Sequence, residues 1–138
     1  MDEHCIFCKI VSGDIPSTKV YEDDATLAFL DIRPVNKGHT LVIPKMHTRN
    51  ILDVPEDVWK RVATTARIVA RAVRSGMHAD GVNVSSSNEP AAGQEVFHLH
   101  LHVIPRFQRD GLTHWPHKTY SDGEAISVAE NIKAALSE

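Results

Sequence analysis

Residues 98–104 read His-Leu-His-Leu-His-Val-Ile. Side chains of an extended chain alternate between faces, so His98, His100 and His102 share one side and Leu99, Leu101 and Val103 the other. Such a segment is core on one face and a row of imidazoles on the other. Two chemistries suit that row. One is metal binding: same-face neighbours on a strand stand roughly 6.6–6.8 Å apart, so an H-x-H pair can chelate one ion. The outer two histidines are about twice as far apart, too far for all three to share it. The other is nucleophilic catalysis. An imidazole with an unperturbed pKa of about 6.5 is largely neutral near neutral pH. Neutral imidazole can attack phosphorus to give a covalent intermediate, and its neighbours can hold the phosphate oxygens. Three histidines on a half-solvated sheet face remain the plain alternative. Strict alternation directly after Gly93-Gln94 favours the functional reading.

The elements that must position this row can be read from pattern. The chain has 138 residues, 42% hydrophobic and 24% charged, with net charge −3. That suggests one domain over residues 1–138 with a single core and no electrostatic case for nucleic acid or an anionic membrane. No apolar run approaches a membrane span, and Met1-Asp-Glu-His4 lacks the features of a signal peptide, so a cytoplasmic location is the expectation. Phe7, Ile10 and Val11 fall at helical spacing in a short helix over 5–12 that Gly13 and Pro16 end. Strands are expected at 19–22 and 26–31, at 39–43 ended by Pro44, at 81–85, and at 98–104 ended by Pro105. Between them, Val58, Val62, Thr65, Ala66, Val69 and Val73 make one helical stripe, starting at Pro55 with Glu56 and Asp57 in its first turn and stopping at Gly76. Arg61, Arg67, Arg71 and Arg74 read as its solvated face. A polar stretch over 106–123 leads to a last helix reaching Leu136. Consecutive strands with one inserted helix make an α+β fold with an antiparallel sheet of about five strands.

The histidine run resembles the signature of the histidine triad (HIT) family. Phe29-Leu-Asp31-Ile, Lys37-Gly-His39-Thr-Leu-Val-Ile-Pro-Lys45 and Gly93-Gln-Glu-Val-Phe-His98 are similar to that family in the same order. The likeness runs from about Cys5 to Arg106, leaving 107–138 as a C-terminal extension, and points to the Hint branch and its bacterial relatives. It implies nucleotide binding and hydrolysis of nucleoside phosphoramidates or related phosphoanhydrides, releasing a nucleoside monophosphate such as AMP, with no catalytic metal. It implies His100 as the nucleophile, its Nδ1–H donated to a main-chain carbonyl near His98, His102 on the α-phosphate, and His39 as support from the adjacent strand. Gln94 would bond near the reacting phosphate and Asp31 would accept from ribose hydroxyls. Phe7, Ile10, Phe29, Ile32 and Leu41 would wall a purine slot, although each serves equally as plain core. Asn88, Glu95 and Val96 complete the implied nucleotide-binding set. Two positions depart from the pattern. Glu95 stands where a Ser or Thr hydroxyl often assists the leaving group, and a charged carboxylate only accepts. Ser87 stands where Asn is frequent, with Asn88 beside it as a substitute.

Cys5 and Cys8 form a C-x-x-C, half of a tetrahedral zinc site. The absence of a preceding strand counts against a redox motif, and two reduced thiols remain the plain alternative. The resemblance implies a structural zinc held by Cys5, Cys8, His47 and His98. It also implies a homodimer, with the long helix and a sheet edge as the interface. Trp115-Pro116 is loosely similar to the Trp-Pro of the Hint tail, and serves equally as a turn packed on its own domain. Two rival functions stay open: a dinucleoside polyphosphate hydrolase of the same family, and a low-turnover nucleotide-binding or scaffold protein. A purely metal-binding structural protein is the rival from another class.

Overall fold

A computed structural model describes residues 1–136. The chain runs α1 (Ile6–Ser12), β1 (Lys19–Glu22), β2 (Thr26–Leu30), β3 (Thr40–Pro44), α2 (Glu56–Gly76), β4 (Gly81–Ser85), β5 (Leu101–Arg106) and α3 (Glu124–Ala135), with one 3-10 turn at Pro90–Ala92. The five strands form one antiparallel sheet in the order β1-β2-β3-β5-β4. The α+β architecture with one long helix is therefore as expected. Residues 137–138 of the anticipated domain lie outside the described residues.

The period-2 pattern sorts two cores onto the two faces of the sheet. Ala28, Val42, Leu99, Leu101 and Val103 pack beneath Val62, Ala66, Val69 and Val73 of α2. Leu27, Phe29, Leu41 and Ile43 meet Phe7 and Ile10 of α1 on the opposite face. A buried hydroxyl pair, Thr26 Oγ1 with Thr65 Oγ1 at 2.8 Å, ties α2 to β2 without leaving an unpaired polar atom. Cys5 caps α1, its Sγ accepting from the Cys8 N–H, and Gly13 closes the helix in the left-handed region at φ 89°.

Two boundaries differ from expectation. Regular pairing in β5 begins at Leu101, because the N–H of Leu99 donates to the Thr48 carbonyl at 2.8 Å rather than to a strand. The alternation survives, since Leu99 stays under α2 and His98 and His100 stay on the other face. Pro105 does not end the strand but pairs with Val82. The register explains the tolerance: β3 accompanies β5 only as far as Val103, so beyond it that side of the strand has no ladder to break. The tail also differs. Trp115 is 87% exposed and α3 buries no residue, so the Trp-Pro segment does not pack on its own domain.

Leu99 is 1% exposed and sits between two of the three histidines, so its truncation leaves a cavity directly beneath the row. Leu99→Ala should lower the unfolding free energy by about 2–5 kcal/mol in urea titrations. A loss below about 1 kcal/mol would show that α2 collapses into the space.

Candidate active site

The loop-and-strand segment through 98–102 fixes proton positions as well as side chains. His100 Nδ1 lies 2.7 Å from the His98 carbonyl, and a carbonyl only accepts, so Nδ1 carries the proton. Its Nε2 lone pair is left without a protein partner among the described residues. The ring is buried edge-on to Phe7, with centroids 5.1 Å apart. Burial depresses its pKa, more than the His98 carbonyl and the Asp31 charge raise it.

A relay from the neighbouring strand sets His102. The Val35 N–H donates to His39 Nδ1 at 3.1 Å, so the His39 proton sits on Nε2. That Nε2 lies 2.9 Å from His102 Nδ1, which must accept, leaving the His102 proton on its own Nε2. One imidazole therefore offers a lone pair and the next an N–H, with ring centroids 5.1 Å apart. Burial first, then the neighbouring His100 and His39, push His102 down to about 4. Burial likewise lowers His39. The row is neutral at physiological pH.

A cavity of about 410 Å³ opens over this pair. Of the expected nucleotide-binding residues, Phe7, Ile10, Phe29, Asp31, Ile32, Leu41, Glu95 and Val96 line it, together with His100 and His102. Phe7, Ile10, Phe29 and Leu41 are at once core and wall, whereas Ile32 is 95% exposed and forms rim. Asp31 Oδ1 accepts from the Arg33 N–H, and its Oδ2 lies 3.7 Å from His39 Nε2. Ile6, Ile15, Ser17, Arg33 and Gly93 also line the cavity. Ile15 and Ser17 arrive on the turn after α1, which has no periodicity to announce them.

Two of the expected ligand residues do not line this cavity. Gln94 is buried and does not line the cavity. Its Nε2 donates to the Arg49 and Val96 carbonyls, and its Oε1 accepts from the Glu89 N–H and Asn50 Nδ2. With both ends of the amide committed, it locks two loops together. Asn88 also lies off the cavity, because its Oδ1 accepts from the Ile51 N–H at 2.9 Å and braces the same loops.

On the other side of His98, Cys5, Cys8, His47 and His98 converge, each ligand atom within 4.8 Å of the others. Cys5 Sγ to His98 Nδ1 is 3.4 Å, Cys8 Sγ to His47 Nδ1 is 3.4 Å, and Cys8 Sγ to His98 Nδ1 is 3.6 Å. A tetrahedral ion with bonds of about 2.3 Å to sulfur and 2.0–2.1 Å to nitrogen requires S···N edges of about 3.5–3.6 Å, so this donor set could hold one. His98 Nε2 donates to the Pro44 carbonyl at 2.8 Å, which turns the Nδ1 lone pair toward the thiols. Burial raises the Cys5 thiol and lowers His98 to about 4. Sequence reasoning missed Asp2, whose carboxylate lies 3.8 Å from His47 Nε2 and whose N–H points to Cys8 Sγ. A terminal residue carries no pattern from which to predict this. Asp31, His39 and His102 form a second cluster of possible ligands. There the proton inventory opposes a cation, since the His39 Nε2 lone pair would appear only if the bond from Val35 were surrendered.

The depressed His102 pKa has a signed consequence for stability. An unfolded chain takes up this proton near pH 6.5, whereas the folded one resists until about 4. The contribution is complete above 6.5 and is lost as pH falls through that window. The thermal midpoint should therefore drop between pH 6.5 and 4, and His102→Gln should flatten part of the fall. An unaltered profile in that variant would assign the drop to other groups.

The HIT domain family model matches residues 12–109. "Protein hit" of Bacillus subtilis is 46% identical over 136 residues, covering 97% of this chain and 92% of that protein. The crystal structure of SMU.412c from Streptococcus mutans superposes with a TM-score of 0.93 at 44% identity, over 99% of this chain and 87% of that one. A Zn-bound histidine triad family protein from Mycobacterium smegmatis gives 0.76 at 42% identity, over 97% of each chain. Relatives named for an activity are the adenosine 5'-monophosphoramidase HNT1 of Saccharomyces cerevisiae, 42% identical over 84% of this chain and 72% of its own length, and the adenylylsulfatase HINT3 of Arabidopsis thaliana, 38% identical over 81% and 57%. With the fold, the histidine row and these likenesses in agreement, the chain belongs to the HIT domain family.

Proposed function

We propose that this chain is a nucleotide hydrolase that cleaves nucleoside phosphoramidates or related phosphoanhydrides through a nucleotidyl-His100 intermediate. The observation that carries the reading is the pair at the cavity floor: His100 with Nε2 unprotonated beside His102 with Nε2 protonated. The His100 lone pair forms a bond to the α-phosphorus while the bond to the leaving group breaks, its electron pair departing with that group. The His102 N–H, half-buried at the cavity floor, holds a phosphate oxygen where charge grows. The Nδ1–H of His100 stays hydrogen-bonded to the His98 carbonyl, which helps stabilise the positive charge of the phosphorylated ring. Water then attacks phosphorus, the electron pair returns to Nε2, and a nucleoside monophosphate leaves.

The nucleoside is assigned to the apolar part of the cavity, between Phe7, Ile10, Phe29 and Leu41, with Asp31 accepting from the ribose hydroxyls. The names of the yeast and Arabidopsis relatives support adenosine and so AMP as product. We assign zinc to Cys5, Cys8, His47 and His98, in a structural role, on the donor geometry and the zinc-bound Mycobacterium smegmatis relative. A homodimer is supported by the edge position of β4, the apolar groove of Trp59, Ala63, Ala70 and Val84 beside it, and the uncovered α3. Among the described residues no helix is long and apolar enough to cross a membrane. We assign the protein to the cytoplasm, where the two thiols stay reduced.

Incubation with an adenosine phosphoramidate should release AMP and leave an acid-labile adduct of one nucleotide on His100. His100→Ala should abolish adduct and turnover while circular dichroism stays native, and retained turnover in that variant would overturn the mechanism. For the metal, emission or mass spectrometry should find one zinc per chain, and Cys5→Ser with Cys8→Ser should remove it. An unchanged zinc content would sink that assignment.

A further inference from the structure

The cavity over the histidine pair does not end at the nucleoside slot. Ile6, Glu95 and Val96 line it and also line a second cavity of about 430 Å³, whose other walls include Arg49 and Phe97. The first cavity is lined by Asp31 and the apolar residues and also by Gly93, Glu95 and Val96. A nucleotide with its base among the apolar residues and its phosphorus over His100 can direct its remaining substituent past Glu95 into the adjoining cavity. Glu95 stands on that route.

The Glu95 carboxylate makes no hydrogen bond or ion pair among the described residues. Of the cations lining the two cavities, the Arg49 guanidinium makes two bonds to Glu89 and stacks over Phe97 at 4.4 Å, and among the described residues Arg33 makes no ion pair with Glu95. Glu89 is thus paired, and Asp31 accepts from a backbone N–H, while Glu95 is exposed and lines the cavity. A carboxylate has no proton to donate to a departing oxyanion, but it accepts from an ammonium or an amine.

Resting on the proposed hydrolase reading, we infer that Glu95 is a specificity residue that selects amine leaving groups bearing positive charge and rejects anionic ones. The substrate class is a nucleoside phosphoramidate whose amine carries a distal ammonium. Cleavage follows the same balance as before: the bridging nitrogen enters protonated from water, the His100–phosphorus bond forms, and the phosphorus–nitrogen pair leaves with a neutral amine. The distal ammonium takes no part in bond making and acts only through its attraction to Glu95. A unit charge about 5–7 Å away in a half-solvated cleft changes the rate by about tenfold.

Two adenosine phosphoramidates of equal length test this, one with its alkyl chain ending in an ammonium and the other in a carboxylate. The reacting bond is then identical and only the distant charge differs. The protein should favour the ammonium substrate in kcat/KM by about tenfold, and added salt should shrink the preference. Glu95→Gln should bring the two substrates close to parity, and Glu95→Lys should invert their order. AMP, which has no leaving group, serves as the control. Equal rates in the unsubstituted protein, an unchanged ratio in Glu95→Gln, or an AMP affinity that falls as far as the ratio would each overturn the inference while leaving the hydrolase reading standing. No cleavage of either substrate and no adduct on His100 would overturn both.

Discussion

His98 is the residue on which both halves of the site depend. Its imidazole is wholly buried, with Nε2–H given to the Pro44 carbonyl and Nδ1 facing two thiols. Its main-chain carbonyl accepts the hydrogen bond from Nδ1–H of His100. A buried imidazole can satisfy both nitrogens only in one tautomer once a carbonyl occupies one side, so the proton on His98 is fixed by the end of β3. The backbone around it is fixed as well, since the next N–H is held by the Thr48 carbonyl. Rotation of His98 would leave a carbonyl and two thiols without their partner and would move the acceptor that decides which nitrogen of His100 is free.

The same economy governs the second pair. Leu41 stands opposite His102 across the β3–β5 ladder, and His39 lies two residues before Leu41 on the same face. The sheet register thus brings His39 to His102, and the loop ahead of β3 supplies the Val35 N–H that sets its tautomer. Gly38, at φ 100°, turns that loop into the strand, and a Cβ there would lie 2.8 Å from Met77 Cγ at the end of α2. The helix on one face therefore limits the loop that tunes the chemistry on the other.

Much of this was legible in the sequence because periodicity reports faces. The alternation at 98–103 and the stripe on α2 gave the two cores, and the resemblance of the histidine run placed His39, His100 and the Cys-His cluster. What escaped was set by contacts that no period encodes. Gln94 and Asn88 are polar loop residues beside a site, which is how ligand-binding residues look in sequence, yet their amides are consumed by the backbone of the 49–51 loop. Ile32 follows a strand and reads as wall; it does line the cavity, but from the exposed rim. Pro105 reads as a strand end, because a sequence does not show that the neighbouring strand has already stopped.

The short helix α1 joins the two centres physically. Seven residues are too few for a helix to persist on its own propensity, so its position must come from what it packs against. It contributes Cys8 to the thiol cluster and Phe7 and Ile10 to the cavity, while Cys5 is its cap. Phe7 stands edge-on to both His98 and His100, with centroids 5.9 and 5.1 Å away. An ion held by the two thiols and two histidines would anchor both ends of the first turn to the sheet, and Phe7, lying between the thiols, could not then withdraw from His100. The desolvation that keeps His100 neutral comes in part from that ring. The thiol cluster therefore bears on the protonation of His100 through one turn of helix.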